Sequence, residues 1–261
     1  MPYTLQKNNR RFLLTTVANA TPIDPGSVGS LVQWWRPEDL VSTVANGAAT
    51  GNWKPYCADN ILLGAGGVGN SANPTLKLNA FGNYPGVNFN SGSSQYYSFT
   101  NILTQNAPFS YVIMSNISTL PIQMTPFMGD VSPNVQYNYI WGGTQSSPTA
   151  SVWYYDGALN SSLNFLNPLL GVTKIITVTI NSANNLFSYY DGQTPIGTSS
   201  GANNMSLRWF GRPYNGSPQT NFLHGTVGEI MFFNSTLTAA NVANLYQNYF
   251  KVKYASDKTL T

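Results

Sequence analysis

Charge is what this sequence has least of. Lys, Arg, Asp and Glu make up 8% of its 261 residues, against roughly 25% in an ordinary soluble domain. That scarcity excludes a disordered polyelectrolyte tail and a long helical bundle solvated by surface charge. Cysteine is limited to Cys57 and histidine to His224, so no internal disulfide and no Cys/His metal cluster can form. Only two glutamates occur, Glu38 and Glu229, with seven aspartates scattered along the chain. No apolar run approaches the roughly 20 residues of a membrane-spanning helix.

Amide and hydroxyl groups take the place of charge, with 31 Asn, 25 Ser and 24 Thr beside 23 Gly. These residues favour turns and strand faces over helix interiors. The expectation is an extracellular or particle-bound β protein. The net charge of +3 sits at the ends: Lys7, Arg10 and Arg11 lie near the start, and Lys251, Lys253 and Lys258 near the finish. The body between residues 12 and 250 holds six basic and eight acidic residues. It therefore lacks the clustered positive charge of a nucleic-acid groove. The apolar stretch Phe12-Leu13-Leu14 is too short for a signal-peptide core. A protein made in a host cytoplasm, without a signal peptide, and working outside it reconciles that with the exported-looking composition.

Most of the chain after residue 30 reads as short strands punctuated by Gly, Pro and Asn. They are expected at 31–35, 75–78, 86–89, 95–99, 109–117, 125–130, 136–141, 151–155, 174–180, 186–190, 205–210 and 226–233. So many strands in one chain predict an all-β, two-sheet antiparallel sandwich. One segment departs from this period. Val242, Leu245, Tyr246, Tyr249 and Phe250 recur at helical spacing behind Thr238, a good N-cap, and predict one amphipathic C-terminal helix over about 238–253. Residues 1–30 are polar and broken by Pro22, Pro25, Gly26 and Gly29, so they are expected to form an extended N-terminal arm separate from a sandwich domain at 31–261.

The order of these elements resembles the concanavalin A-like (laminin G-like) jelly-roll superfamily. Leu31-Val-Gln-Trp-Trp-Arg-Pro-Glu-Asp-Leu-Val is similar to its opening strand. Pro85-Gly-Val-Asn-Phe-Asn with Gln95-Tyr-Tyr resembles a strand pair of those domains, and Leu186-Phe-Ser-Tyr-Tyr-Asp-Gly-Gln resembles their Asp-Gly hairpin. Gly225-Thr-Val-Gly-Glu-Ile-Met-Phe-Phe-Asn-Ser-Thr-Leu-Thr looks like their closing strand and the start of the helix that follows. The resemblance covers about residues 31–254 and implies a jelly-roll sandwich.

Some members of that superfamily are glycosidases with a Glu-x-Asp-x-x-Glu cluster, which is missing here, so no catalytic residue is expected. His224 has no Gly-x-Ser-x-Gly partner and is expected in a turn or the core. The loop Gly64-Ala-Gly-Gly-Val-Gly lacks the Lys-Ser/Thr of a phosphate loop and is read as a flexible surface loop. Calcium needs six to eight oxygen ligands, and Asp59, Asn60 and Asp130 form no acidic cluster. No metal and no cofactor is expected. Glu229, flanked by apolar residues, is expected to be a structural hydrogen-bond acceptor.

Aromatic doublets carry the remaining signal. Trp34-Trp35, Tyr96-Tyr97, Trp153-Tyr154-Tyr155 and Tyr189-Tyr190 fall on expected strands, where neighbours point to opposite faces. Each doublet should send one ring away from the central core, to be covered by the helix or a loop, to stack on sugar, or to meet another subunit. Trp153 and Tyr155, with Arg212, Tyr214 and Asn215 from the loop after residue 211, are the candidate glycan contacts.

Together these readings predict a non-enzymatic virion structural protein of a bacteriophage, a capsid decoration or fibre component present in many copies. Its arm would dock Tyr3, Leu5, Phe12 and Leu13 in a neighbouring virion protein while Lys7, Arg10 and Arg11 meet acidic groups. The alternative is a carbohydrate-binding adhesin module that recognises host surface polysaccharide. Neither reading involves nucleic acid or a membrane.

Overall fold

The computed structural model describes residues 20–56, 64–65, 73–98, 107–118, 125–130, 137–142, 150–155, 159–164, 170–181, 186–200, 207–211 and 222–260. Fifteen strands form there, most of them from runs of apolar, β-branched and aromatic residues. In chain order they are β1 (Leu31–Trp35), β2 (Gly64–Ala65), β3 (Thr75–Phe81), β4 (Tyr84–Phe89), β5 (Tyr97–Ser98), β6 (Phe109–Ile117), β7 (Thr125–Asp130), β8 (Tyr137–Gly142), β9 (Ala150–Tyr155), β10 (Leu159–Asn164), β11 (Thr173–Asn181), β12 (Leu186–Asp191), β13 (Thr194–Ser200), β14 (Leu207–Phe210) and β15 (Gly225–Phe233).

The strands make an antiparallel jelly-roll sandwich of two sheets. The first has the order β13-β12-β11-β6-β15-β4-β3, with β1 also on β15; the second has the order β10-β9-β8-β7-β14-β5-β2. Strand β15 pairs along one edge with β4 through Gly225–Val227 and then with β1 through Ile230–Phe233, while β6 lies along the other edge.

The central strands of the first sheet read as nearly continuous apolar runs because both their faces are covered. Tyr111, Ile113, Ile176, Val178, Ile230 and Phe232 enter the core between the sheets. Their neighbours Val112, Met114, Ile175, Met231 and Phe233 enter a second core under the C-terminal helix. That helix, α1, begins at Ala239, passes through a π-helical turn at Tyr246–Phe250 and ends at Lys253. Thr238 and Asn241 form a reciprocal capping box at its start. Val242, Leu245, Tyr246, Tyr249 and Phe250, the expected apolar face, are all buried.

Three strands have no counterpart in the sequence reading: β2, β10 and β13. Leu159–Asn164 (Leu-Asn-Ser-Ser-Leu-Asn) and Thr194–Ser200 carry too few apolar residues to show a strand period, and their sheet neighbours supply the pairing. Part of the expected glycine-rich surface loop is likewise a strand, since Gly64 and Ala65 pair with Ser98 and Tyr97.

The arm's expected boundary at residue 30 also shifts. Pro25–Val28 is a 3-10 turn whose Asp24 carboxylate accepts the Gly26 N–H. Ile23 N–H donates to the Asn248 carbonyl at 3.0 Å, and Asn234 N–H donates to the Ser30 carbonyl at 2.8 Å. Val28 is buried in the core under α1 with Ile23 against it. Residues 23–30 therefore pack as part of the sandwich body, held by apolar contacts the Pro/Gly-rich sequence does not advertise. Tyr3, Leu5, Lys7, Arg10, Arg11, Phe12 and Leu13 lie outside the described residues.

Candidate functional site

The only two glutamates of the chain converge, although they are 191 positions apart. Glu229 stands at a bulge in β15, where Gly228 and Glu229 together oppose the single residue Met114 between the Val227–Ser115 and Ile230–Ile113 pairs. A Cβ on Gly228 would lie 2.9 Å from Met114 Sδ, so any other residue here would force the Met114 side chain to shift. Glu229 is fully buried. Its carboxylate accepts hydrogen bonds from Trp34 Nε1 at 2.5 Å, Tyr249 Oη at 2.8 Å, Tyr254 Oη at 2.5 Å and Lys253 Nζ at 2.5 Å. Lys253 Nζ also lies 2.5 Å from Glu38 Oε1 in the 3-10 turn Pro37–Leu40.

Burial, and then the charge of Glu229, raise the Glu38 pKa above the usual carboxylate range, with Lys253 pulling against them. Burial lowers the Lys253 pKa, but the Glu229 and Glu38 charges outweigh it and leave it raised. Burial and the Glu229 charge push the Tyr249 and Tyr254 phenols far up, so both remain neutral donors. Two carboxylates at short range are what a retaining glycosidase requires. Here the space between them is filled by an ammonium, and every donor around Glu229 belongs to the protein. Glu229 has the geometry of a structural acceptor joining β1, β15 and α1.

Two other polar pairs are built the same way. His224 Nδ1 accepts the Ser91 backbone N–H at 3.4 Å and lies 3.0 Å from Ser91 Oγ, beside the 3-10 turn Ser91–Ser93 that Asn90 caps. No carboxylate holds its ring among the described residues. Lys174 Nζ donates to Asp191 Oδ2 at 2.8 Å in a buried pair joining β11 and β12. No group of three His, Cys, Asp or Glu among the described residues is arranged to hold a metal ion.

The aromatic doublets split between faces. Trp35 and Tyr189 enter the core between the sheets, whereas Trp34 and Tyr190 lie under α1. Tyr97 enters the same inter-sheet core, while Tyr96 stacks on Phe222 with ring centroids 6.2 Å apart. In these strands the outward ring is covered by the protein itself.

In the second sheet the register assigns the remaining aromatic positions to faces. Partners directly opposite in an antiparallel pair share a face. Tyr97 and Phe210, both in the inter-sheet core, are such partners. Phe210 pairs with Met128, Met128 with Asn138, and Asn138 with Tyr154. Positions 128, 138 and 154 therefore belong to the face that carries Phe210. By alternation along β8 and β9, Tyr137, Tyr139, Trp141, Trp153 and Tyr155 occupy the opposite face.

Across β8, β9 and β10 these positions form three rows: Tyr137, Tyr155 and Leu159; Tyr139, Trp153 and Ser162; Trp141, Ser151 and Asn164. Rows two residues apart along a strand are about 6.6–6.8 Å apart, and strands are about 4.7–4.9 Å apart. Of the candidate glycan contacts, Trp153 and Tyr155 thus fall on one face with three further aromatics that the sequence reading did not single out. The signal was present as alternation in Tyr137-Asn-Tyr-Ile-Trp, but its pairing with β9 is long-range information. Arg212, Tyr214 and Asn215 lie outside the described residues.

No protein-family model and no curated protein matches the sequence. Solved structures do match. Domain 4 of AbnA, a GH43 extracellular arabinanase from Geobacillus stearothermophilus solved with arabinotriose, aligns with a TM-score of 0.56 at 13% identity, over 84% of this chain and 99% of that one. The binding domain of Paraclostridial Mosquitocidal Protein 1 aligns with a TM-score of 0.58 at 12% identity, over 85% of this chain and 52% of that one. Trypanosoma rangeli sialidase, solved with the inhibitor DANA, aligns with a TM-score of 0.54 at 17% identity, over 87% of this chain and 35% of that one. At these identities the likeness is one of fold: this chain is a β-sandwich of the kind found in glycosidases and in a binding domain. It spans about half of the mosquitocidal chain and about a third of the sialidase.

Proposed function

We propose that this chain is a carbohydrate-binding β-sandwich module of the concanavalin A-like kind, without catalytic apparatus of its own. The observation that carries the reading is the register of β8 and β9, which gathers Tyr137, Tyr139, Trp141, Trp153 and Tyr155 on one face of the second sheet. The C–H face of a sugar ring stacks on aromatic rings, and its hydroxyls bond to amides and hydroxyls such as those of Asn164, Ser151 and Ser162. The fold likeness to an arabinanase domain solved with arabinotriose supports the same reading. The non-catalytic part of the proposal is supported by the engagement of both glutamates with Lys253.

A place on a phage particle, in many copies and anchored by residues 1–19 to neighbouring virion proteins, is a second reading supported by the sequence: a charge-poor body follows a segment that combines Phe12, Leu13 and Leu14 with Lys7, Arg10 and Arg11. The two readings are compatible, since a lectin-like domain on a particle can both build it and hold host glycan.

Native electrophoresis through gels containing soluble polysaccharides tests the binding proposal. The protein should be retarded by at least one polysaccharide, and the double variant Trp153→Ala/Tyr155→Ala should run as if the gel were empty. Equal retardation of both proteins, or retardation of neither in any gel, would refute it. No reducing sugar should be released from the retarding polysaccharide.

A further inference from the structure

Resting on the carbohydrate-binding reading of that same face, we infer that its ligand is an uncharged glycan chain several sugars long, bound along β8 and β9, and not an acidic or single terminal sugar. The inference comes from what stands at the nine positions of the three rows. Five are aromatic, one is Leu159, and the polar ones are Ser151, Ser162 and Asn164. Strands β8, β9 and β10 contain no Lys, Arg, Asp or Glu at any position.

An acidic sugar presents a carboxylate that must give up hydrating water on binding, and its recognition calls for an Arg or Lys at the contact. Among the described residues, the basic side chains in ion pairs are Arg36 with Asp39, Lys174 with Asp191 and Lys253 with both glutamates, and none of these stands on β8, β9 or β10. The rows therefore hold aromatic and neutral polar residues, the residue types that suit a chain of neutral hydroxylated rings.

Its dimensions decide chain against single sugar. Three rows separated by two residues each extend about 13 Å along the strands, with aromatics in every row. A single ring would meet one row and leave the others unused, whereas a chain lying along β8 and β9 meets all three. The rows also change character, from Tyr137, Tyr155 and Leu159 at one end to Trp141, Ser151 and Asn164 at the other. That gradient distinguishes one end of the bound chain from the other.

Isothermal titration calorimetry on the full chain tests this with neutral trisaccharides (arabinotriose, xylotriose, cellotriose, maltotriose, mannotriose), their monosaccharides, and two acidic probes, sialyllactose and trigalacturonic acid. At least one neutral trisaccharide should bind, tenfold or more tighter than its monosaccharide, with a Kd changing less than about twofold between 50 and 500 mM salt, as expected when no charge is neutralised. Trp153→Ala should weaken it about tenfold or more. Tyr155→Ala serves as a second variant should the first lose its folded circular dichroism, and Tyr56→Ala, at an exposed ring in another part of the fold, should leave binding unchanged.

Binding of the acidic probes alone, or affinity falling steeply with salt, would overturn the neutral class while leaving the glycan reading intact. Equal affinity for monosaccharide and trisaccharide would overturn the chain. Binding of no probe, together with self-association in sedimentation that Trp153→Ala abolishes, would make the face an interface between copies and overturn both readings. Binding of no probe by a monomeric protein would overturn both as well.

Discussion

Lys253 of the C-terminal helix and Glu229 of β15 meet at 2.5 Å across the seam between helix and sheet, with the carboxylate wholly buried. The pair fixes the end of α1 to the bulge at Gly228–Glu229, and Tyr249 of that helix and Tyr254 just past its end complete it. Removing the ammonium leaves two carboxylates facing each other without a counter-charge. Breaking such a pair typically costs about 3–5 kcal/mol. Lys253→Met should lower the urea midpoint by a corresponding amount, whereas Lys258→Met, near the chain end, should leave it within about 0.5 kcal/mol.

Glu38 gives this cluster a pH dependence. Burial and the Glu229 charge raise its folded pKa, so between the ordinary glutamate value of about 4.3 and that raised value the folded chain holds more protons than the unfolded one. Stability contributed by Glu38 is present below that window and is lost as pH rises through it. Glu38→Gln should remove this component. The stability difference, variant minus wild type, measured by urea unfolding should become more positive from pH 4 to pH 7; a flat trend would show that folding leaves the Glu38 pKa unshifted, and an opposite one that folding lowers it.

Much of the first sheet was legible in the sequence because its signals are local. Trp34-Trp35, the apolar runs of β6, β11 and β15, and the helical spacing from Val242 to Phe250 each announce an element and its two faces. The Glu229 cluster was legible only in part: its apolar flanks predict a buried acceptor, but its partners Trp34 and Lys253 come from opposite ends of the chain. The same limit hid the aromatic rows of the second sheet. Tyr137, Tyr139 and Trp141 alternate visibly, yet the register that sets them beside Tyr155 and Trp153 depends on pairing, which alternation does not specify. Strands β10 and β13 were missed because Ser, Thr and Asn there carry no apolar period.

The bulge makes a separate demand on Gly228. A methyl group there would sit 2.9 Å from Met114 Sδ and 3.1 Å from its Cγ, and overpacking of this kind costs about 1–3 kcal/mol. Gly228→Ala should destabilise the protein accordingly, and the double variant Gly228→Ala/Met114→Ala should lose less stability than the sum of the two single variants, because truncating Met114 makes room for the added methyl. A fully additive double mutant would mean that the bulge relaxes without involving Met114.

Truncation tests how much of the N-terminal stretch the sandwich body depends on. Removing residues 1–19 keeps the contacts of Ile23 and Val28 with the body and should leave thermal stability unchanged. Removing residues 1–28 also deletes Val28 and Ile23 from the core under α1 and should cost at least about 2 kcal/mol, the scale for burying one such side chain. If residues 1–19 attach the domain to a particle, the shorter truncation should also abolish incorporation without unfolding the protein.

Backbone amide shift mapping tests the proposed binding face most directly. Titrating arabinotriose, or whichever neutral trisaccharide binds in its place, into nitrogen-15-labelled protein should move the amides of Tyr137–Gly142, Ala150–Tyr155 and Leu159–Asn164 while those of α1 and of the turn at Pro37–Leu40 stay in place. Shifts centred on α1, on Glu38 and Glu229, or on any strand of the first sheet would contradict the assignment of sugar binding to the aromatic face of β8 and β9.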